Sequence, residues 1–185
     1  MLLSAAALML SSVCSALVVP RENNSSEPQP SQKFIVHSRP QGSDSFDKSL
    51  GYLFAEYSYG GGYSATLHTA KSDAIAGVIS DVNDPDNAAL NFPSGDYSQG
   101  FKLSELSEQY PNSLAQIYSG QDGTPGMAIE DGLLKWNSPD GTPISWFACE
   151  NWALRWGPAT ALFYKREGTA TTEGCVDVDL VAEYE

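Results

Sequence analysis

The chain has 185 residues, with 10 basic against 23 acidic side chains and a formal net charge of −13. That length supports one domain with a real core and is short for two. A surface so acidic repels nucleic acid and anionic membranes, which removes both from the expected partners and otherwise favours solubility.

Residues 1–19 are apolar or small and carry no charged side chain. Leu8-Met9-Leu10 lies in the apolar run, and Cys14-Ser15-Ala16 offers small residues for a cut after Ala16, so a secretory leader over 1–16 is expected. A membrane anchor is the alternative, since the run is near the minimum length for a span. No later stretch is long and apolar enough to cross a bilayer, so no membrane association is expected once the leader is gone. Residues 17–32 have no core-forming pattern and read as a disordered spacer. Within it Asn23 and Asn24 each begin a glycosylation sequon, overlapping so that one glycan fills the space.

From residue 33 to 185 short apolar runs alternate with turn residues. Phe34–Val36, the aromatic-rich Leu50–Tyr59 and Tyr63–His68 come first. Gly100–Leu103, Leu114–Tyr118, Met127–Ile129 and Leu133–Trp136 follow, then Ile144–Trp152, Ala161–Tyr164 and Val176–Tyr184. Asp122-Gly123, Asp131-Gly132, Asp140-Gly141 and Glu173-Gly174 punctuate them. Many short strands at this spacing predict an all-β, single-domain antiparallel sandwich or barrel. Helical signals are limited to Asp84 before Pro85 and the segment Ser104–Tyr110, stopped by Pro111, so one or two short helices are expected.

Removing the leader takes Cys14 away and leaves Cys149 and Cys175. An even pair in an oxidising compartment reads as one disulfide, contributing on the order of 3 kcal/mol in the loop-entropy description. Two cysteines without a nearby histidine cannot fill four zinc positions, so no metal centre is expected.

Catalytic motifs are incomplete. Gly62-Tyr63-Ser64-Ala65-Thr66 and Asp96-Tyr97-Ser98-Gln99-Gly100 each lack one glycine of the serine-hydrolase elbow, and the only histidines are His37 and His68. Asp81-Val82-Asn83-Asp84-Pro85-Asp86 opens like a calcium loop but has no sixth-position glycine and no closing glutamate. Glu130, Asp131 and Glu150 lie near tryptophans in sequence, as paired glycosidase carboxylates would, yet 23 acidic residues make such neighbours unremarkable in kind. No catalytic residue and no cofactor is assigned.

All four tryptophans fall within residues 136–156. On one regular strand Trp146, Ala148, Glu150 and Trp152 share a face, while Phe147, Cys149 and Asn151 share the other. A wet face with Trp146, Trp152 and the Glu150 carboxylate suits a sugar, because indoles stack on the apolar faces of sugar rings. The commoner use of such rings is to fill a β core beside the disulfide. Both readings stand at this level.

Three segments occur in order: Asp131-Gly132-Leu133-Leu134-Lys135-Trp136, Trp146-Phe147-Ala148-Cys149-Glu150-Asn151-Trp152, and Gly174-Cys175-Val176-Asp177-Val178. Together they resemble small secreted fungal proteins of unknown function, nearest to fungal cell-wall proteins of the phialide type. The likeness spans residues 33–185 and is looser before residue 115. It implies a fungal, secreted, mostly β protein at or near the cell wall, and it supplies no catalytic residue. The expected role is extracellular and non-enzymatic. A carbohydrate-binding module using the tryptophans and an effector-like domain binding a host or cell-wall protein are the alternatives.

Overall fold

The computed structural model describes residues 32–41, 51–58, 62–81 and 83–185. The expected leader over 1–16 and the sequon residues Asn23 and Asn24 lie outside them. Thirteen strands form one sheet system: β1 (Phe34–Pro40), β2 (Gly51–Tyr57), β3 (Tyr63–His68), β4 (Val78–Ser80), β5 (Ala89–Ser94), β6 (Tyr97–Lys102) and β7 (Asn112–Leu114) come first. They are followed by β8 (Gln116–Ser119), β9 (Met127–Glu130), β10 (Leu133–Trp136), β11 (Ile144–Leu154), β12 (Gly157–Arg166) and β13 (Cys175–Tyr184).

Every strand-to-strand pairing is antiparallel, and six strands close on themselves. The ring runs β1–β2–β3–β12–β11–β13 and back to β1, with Thr66 and Leu67 of β3 meeting Ala161 and Thr160 of β12 at the seam. Tyr63 and Ser64 of β3 pair instead with β8, and from there β6, β5 and β4 continue the sheet. The fold is therefore the expected all-β antiparallel barrel, with a sheet extension grown from one strand. Closure removes most free edges, which suits a chain rich in short strands.

The two expected helical segments do not form. Residues 83–87 close as hydrogen-bonded turns (Asn87 and Ala88 N–H both donate to the Asp84 carbonyl), and 104–110 runs without a helix. Its place is set by Tyr164, whose hydroxyl donates to the Ser104 carbonyl at 2.8 Å and overrides a weak local propensity. Among the described residues the single helical turn is a 3-10 turn at Lys71–Asp73.

Barrel and extension share one core. Phe34, Leu53, Leu162, Tyr164, Val178 and Leu180 from the ring cluster with Leu90, Phe92, Phe101 and Ile117 from the extension. Trp146 sits among them, 6.0 Å from the Phe101 ring and 6.2 Å from Tyr164, centroid to centroid. In the last strand Val178 and Leu180 are both fully buried, whereas Val176 is left exposed at the strand's start. The Asp131-Gly132 turn has φ of 51° and 77° and joins β9 to β10, as a two-residue hairpin of the right twist requires.

Trp146→Ala removes a fully enclosed ring and strands a carbonyl that now accepts its N–H. It should cost about 3–5 kcal/mol, read as a drop in the urea midpoint, whereas Trp156→Ala at an exposed position should shift that midpoint little.

Candidate binding face and cleft

Strand β11 carries the tryptophans from the interior into solvent. Its register with β12 runs regularly from Ile144↔Arg166 to Cys149↔Ala161, then resumes at Trp152↔Ala159. Two residues on β11, Glu150 and Asn151, thus oppose the single Thr160 on β12, a β-bulge, and Asn151 takes up the extra length at φ 57°. The extra residue inverts the alternation beyond it. Trp152 leaves the Trp146 side of the sheet and joins Phe147, Cys149 and Phe163 on the outer face. The expected common face of Trp146, Glu150 and Trp152 is therefore not formed.

The four indoles divide accordingly. Trp136 and Trp146 are 5% and 4% exposed, and their Nε1–H groups donate to the carbonyls of Pro125 (2.9 Å) and Leu134 (3.0 Å). Both are satisfied core residues. Trp152 is 42% exposed and Trp156 72% exposed. Trp152 stands edge-on to Phe163 at 4.8 Å, and Phe163 stacks on Phe147 at 5.2 Å. Trp156 and Arg155 form the two-residue tip between Leu154 and Gly157. The Arg155 guanidinium lies 5.0 Å from the ring centroids of both Tyr57 and Trp156, tying the tip to the end of β2.

Several contacts stiffen this outer face. Cys149 and Cys175 are directly opposed on β11 and β13, their Cα atoms 4.3 Å apart, and they form the expected disulfide. Lys165, almost wholly buried, reaches over Phe147 to Asp177: its Nζ donates to Asp177 Oδ1 at 2.8 Å and to Thr171 Oγ1 at 2.6 Å. Thr171 donates in turn to the same carboxylate oxygen at 2.7 Å. Burial alone would raise the Asp177 pKa, but the hydrogen bonds from Lys165 and Thr171 outweigh it and hold the carboxyl below its ordinary range.

Beyond Cys149, β11 has β12 on one side and no β13 residue paired on the other. Such an edge invites another strand, yet the bulge twists it and Pro158 removes a donor from the hairpin. What the tip offers is side chains: Trp152, Trp156, Arg155, Glu150 and Asn151.

At the opposite end of β11 lies a cleft of about 250 Å³. It opens where β13 changes neighbours, pairing with β11 through Val178 and with β10 at Val181. The Trp146 indole bridges the split through its bond to the Leu134 carbonyl. Glu130, Lys135, Asn137, Ser145 and Glu167 line the cleft together with the two buried indoles. The 137–143 loop adds Asn137 and Pro143 to the lining and is fastened by Asp140, which accepts from the Ser138 hydroxyl at 2.7 Å and the Thr142 amide at 3.0 Å. Those bonds push the Asp140 carboxyl down to about 2.

Other sequence candidates are scattered. Glu130 lines the cleft and Asp131 sits in the adjoining turn, but Glu150 is exposed at the far end of β11, so the three do not meet. Ser64 is buried within β3 and Ser98 lies within β6; neither occupies a strand-to-helix turn. Asp84 takes the Asn87 amide at 2.8 Å inside the 83–87 turns. Arg155, Trp156 and Tyr57 were not read as a group from sequence. The tip residues Arg155-Trp156 ahead of Gly157-Pro158 were the available signal.

Asp177 gives the outer face a pH dependence of defined sign. Its depressed pKa contributes stability that is fully present above the unfolded value of about 3.9 and is lost as pH falls through the folded value. Thermal midpoints of the wild type and Asp177→Asn should therefore differ most at neutral pH and converge as pH falls toward 2; a gap that stays constant would contradict the assignment.

No curated protein sequence and no solved structure matches the chain. A family profile does match, over residues 31–184, and so takes in every strand described above. The chain belongs to the family described as a domain of unknown function, DUF7907.

Proposed function

We propose that this is an extracellular, non-catalytic binding domain that holds a polysaccharide on the tip of the β11–β12 hairpin. The observation that carries the reading is the exposure of Trp152 and Trp156 on a bulged hairpin held by a disulfide, an edge-on ring contact and a cation–π contact. A large exposed apolar ring calls for an explanation in a way that a buried one does not. Indole faces stack on the apolar faces of sugar rings, and the exposed bulge residue Asn151 precedes Trp152 in the chain with an amide able to bond hydroxyl groups. Rigid aromatic side chains lose little entropy on binding, so a fastened tip retains more of its contact energy.

The compartment follows from separate lines of support. A disulfide persists in oxidising surroundings, residues 1–16 read as a secretory leader, and the resemblance to fungal cell-wall proteins of the phialide type points to a wall polymer as the ligand. Trp146, paired with Trp152 on the sequence reading, is excluded from this surface by burial.

The test is co-sedimentation of the protein purified from a secreting host with insoluble chitin, β-glucan and cellulose. Saturable binding should appear with at least one polymer and fall about tenfold or more in Trp152→Ala and Trp156→Ala, both still folded by circular dichroism. Wild-type binding to none of the three, or binding that both variants retain in full, would overturn the proposal. In the former case the tip's Trp–Arg–Tyr group becomes a surface for a protein partner, since those residue types dominate protein interfaces.

A further inference from the structure

We propose that the cleft between β10, β11 and β13 is a second ligand site, which takes one neutral pyranose unit. This does not rest on the reading of the hairpin tip. The cleft begins at Ile144–Trp146 while the tip begins at Trp152, a separation of about 20 Å along the strand.

The site arises from the split in the sheet. Because β13 passes from β11 to β10 as its neighbour, the cleft lies where those strands part, lined by residues of all three. Its lining is held in place: Trp146 is bonded to Leu134 on one side and packed in the core on the other, and Asp140 pins the loop between Asn137 and Pro143. Concave sites so held bind with little reorganisation.

Size and lining select the ligand class. A volume of about 250 Å³ falls just below the ~300 Å³ at which pockets for drug-sized molecules begin. It has room for a single sugar ring. Around buried apolar groups stand three carboxylate residues (Glu130, Glu167 and Asp179), two amides (Gln41 and Asn137), Lys135 and Ser145. Sugar hydroxyls both donate and accept, so they satisfy a lining that mixes acceptors with donors; a purely apolar ligand would leave those groups unpaired. Neither Glu130 nor Glu167 is engaged in an ion pair among the described residues, which leaves both carboxylates able to accept from a ligand. Asp179, also on the lining, is already paired with Arg39 at 3.3 Å. The carboxylate excess disfavours anionic sugars.

Both indoles at the cleft are natural reporters. In a Trp152→Phe, Trp156→Phe double variant the remaining emission comes from Trp136 and Trp146 alone. Titration of this protein with glucose, mannose and N-acetylglucosamine, and with β-linked tetramers of each, should shift that emission saturably for at least one neutral monosaccharide. Asn137→Ala and Glu167→Gln, added singly, should weaken the response about fivefold or more. A tetramer should bind no more than a few-fold better than its monosaccharide if one unit fills the cleft. The proposal is overturned by emission that does not move with any neutral sugar, by a response to tetramers only, or by a response that both added variants leave unchanged. Because the tip tryptophans are absent from this protein, none of those results bears on polysaccharide binding by the tip.

Discussion

The extra residue at Asn151 governs where the most informative side chains of this protein end up. Without it, β11 would continue in register with β12 and Trp152 would fall on the same side as Trp146. With it, one strand serves two environments. Its first half lies in the core, closed by Trp146, and its second half rises from the barrel with an indole turned outward. The bulge costs a ladder hydrogen bond and places a non-glycine residue at positive φ, for which asparagine is among the tolerated choices. The disulfide begins the staple immediately before the bulge, at Cys149, and so fixes the last regular residue of β11 to the first residue of β13.

The face so formed is supported from below and from the side. Phe147 and Phe163 stack beneath Trp152, and Lys165 crosses Phe147 to reach Asp177 and Thr171. A lysine this enclosed is tolerated because its charge is matched by a carboxylate and its methylenes cover an aromatic ring. The network reaches from β12 across β11 to β13 and so ties three strands to the loop preceding β13. Polysaccharide recognition, as proposed, would exploit that support.

The architecture was readable because strands and turns carry strong local signals. The apolar run at Val176–Tyr184 and the Asp131-Gly132 turn marked β13 and the β9–β10 hairpin from sequence, and the two cysteines predicted their own pairing. β4 and β5 escaped notice for physical reasons. Pro93 and Asn91 argue against a strand, yet Pro93 lies near the exposed end of β5, and the Asn91 side chain accepts from the Gly123 N–H at 2.8 Å. Helix signals at 104–110 failed because a tertiary bond to Tyr164 outweighs local preference. The tryptophan cluster was legible as a cluster but not in its division. A bulge is a one-residue shift with no composition of its own, and it reversed the face of every side chain after it. The cleft was invisible for a different reason: its residues come from separate strands and meet only where β13 exchanges one neighbour for another.

The division of the indoles is the central claim, and collisional quenching with acrylamide measures it directly. In the native protein the emission should resolve into an accessible and a protected population. The double replacement of Trp152 and Trp156 by phenylalanine should abolish the accessible one, leaving blue-shifted, weakly quenched emission. Readily quenched, red-shifted emission persisting in that variant would place Trp136 or Trp146 at the surface and contradict the bulged path of β11.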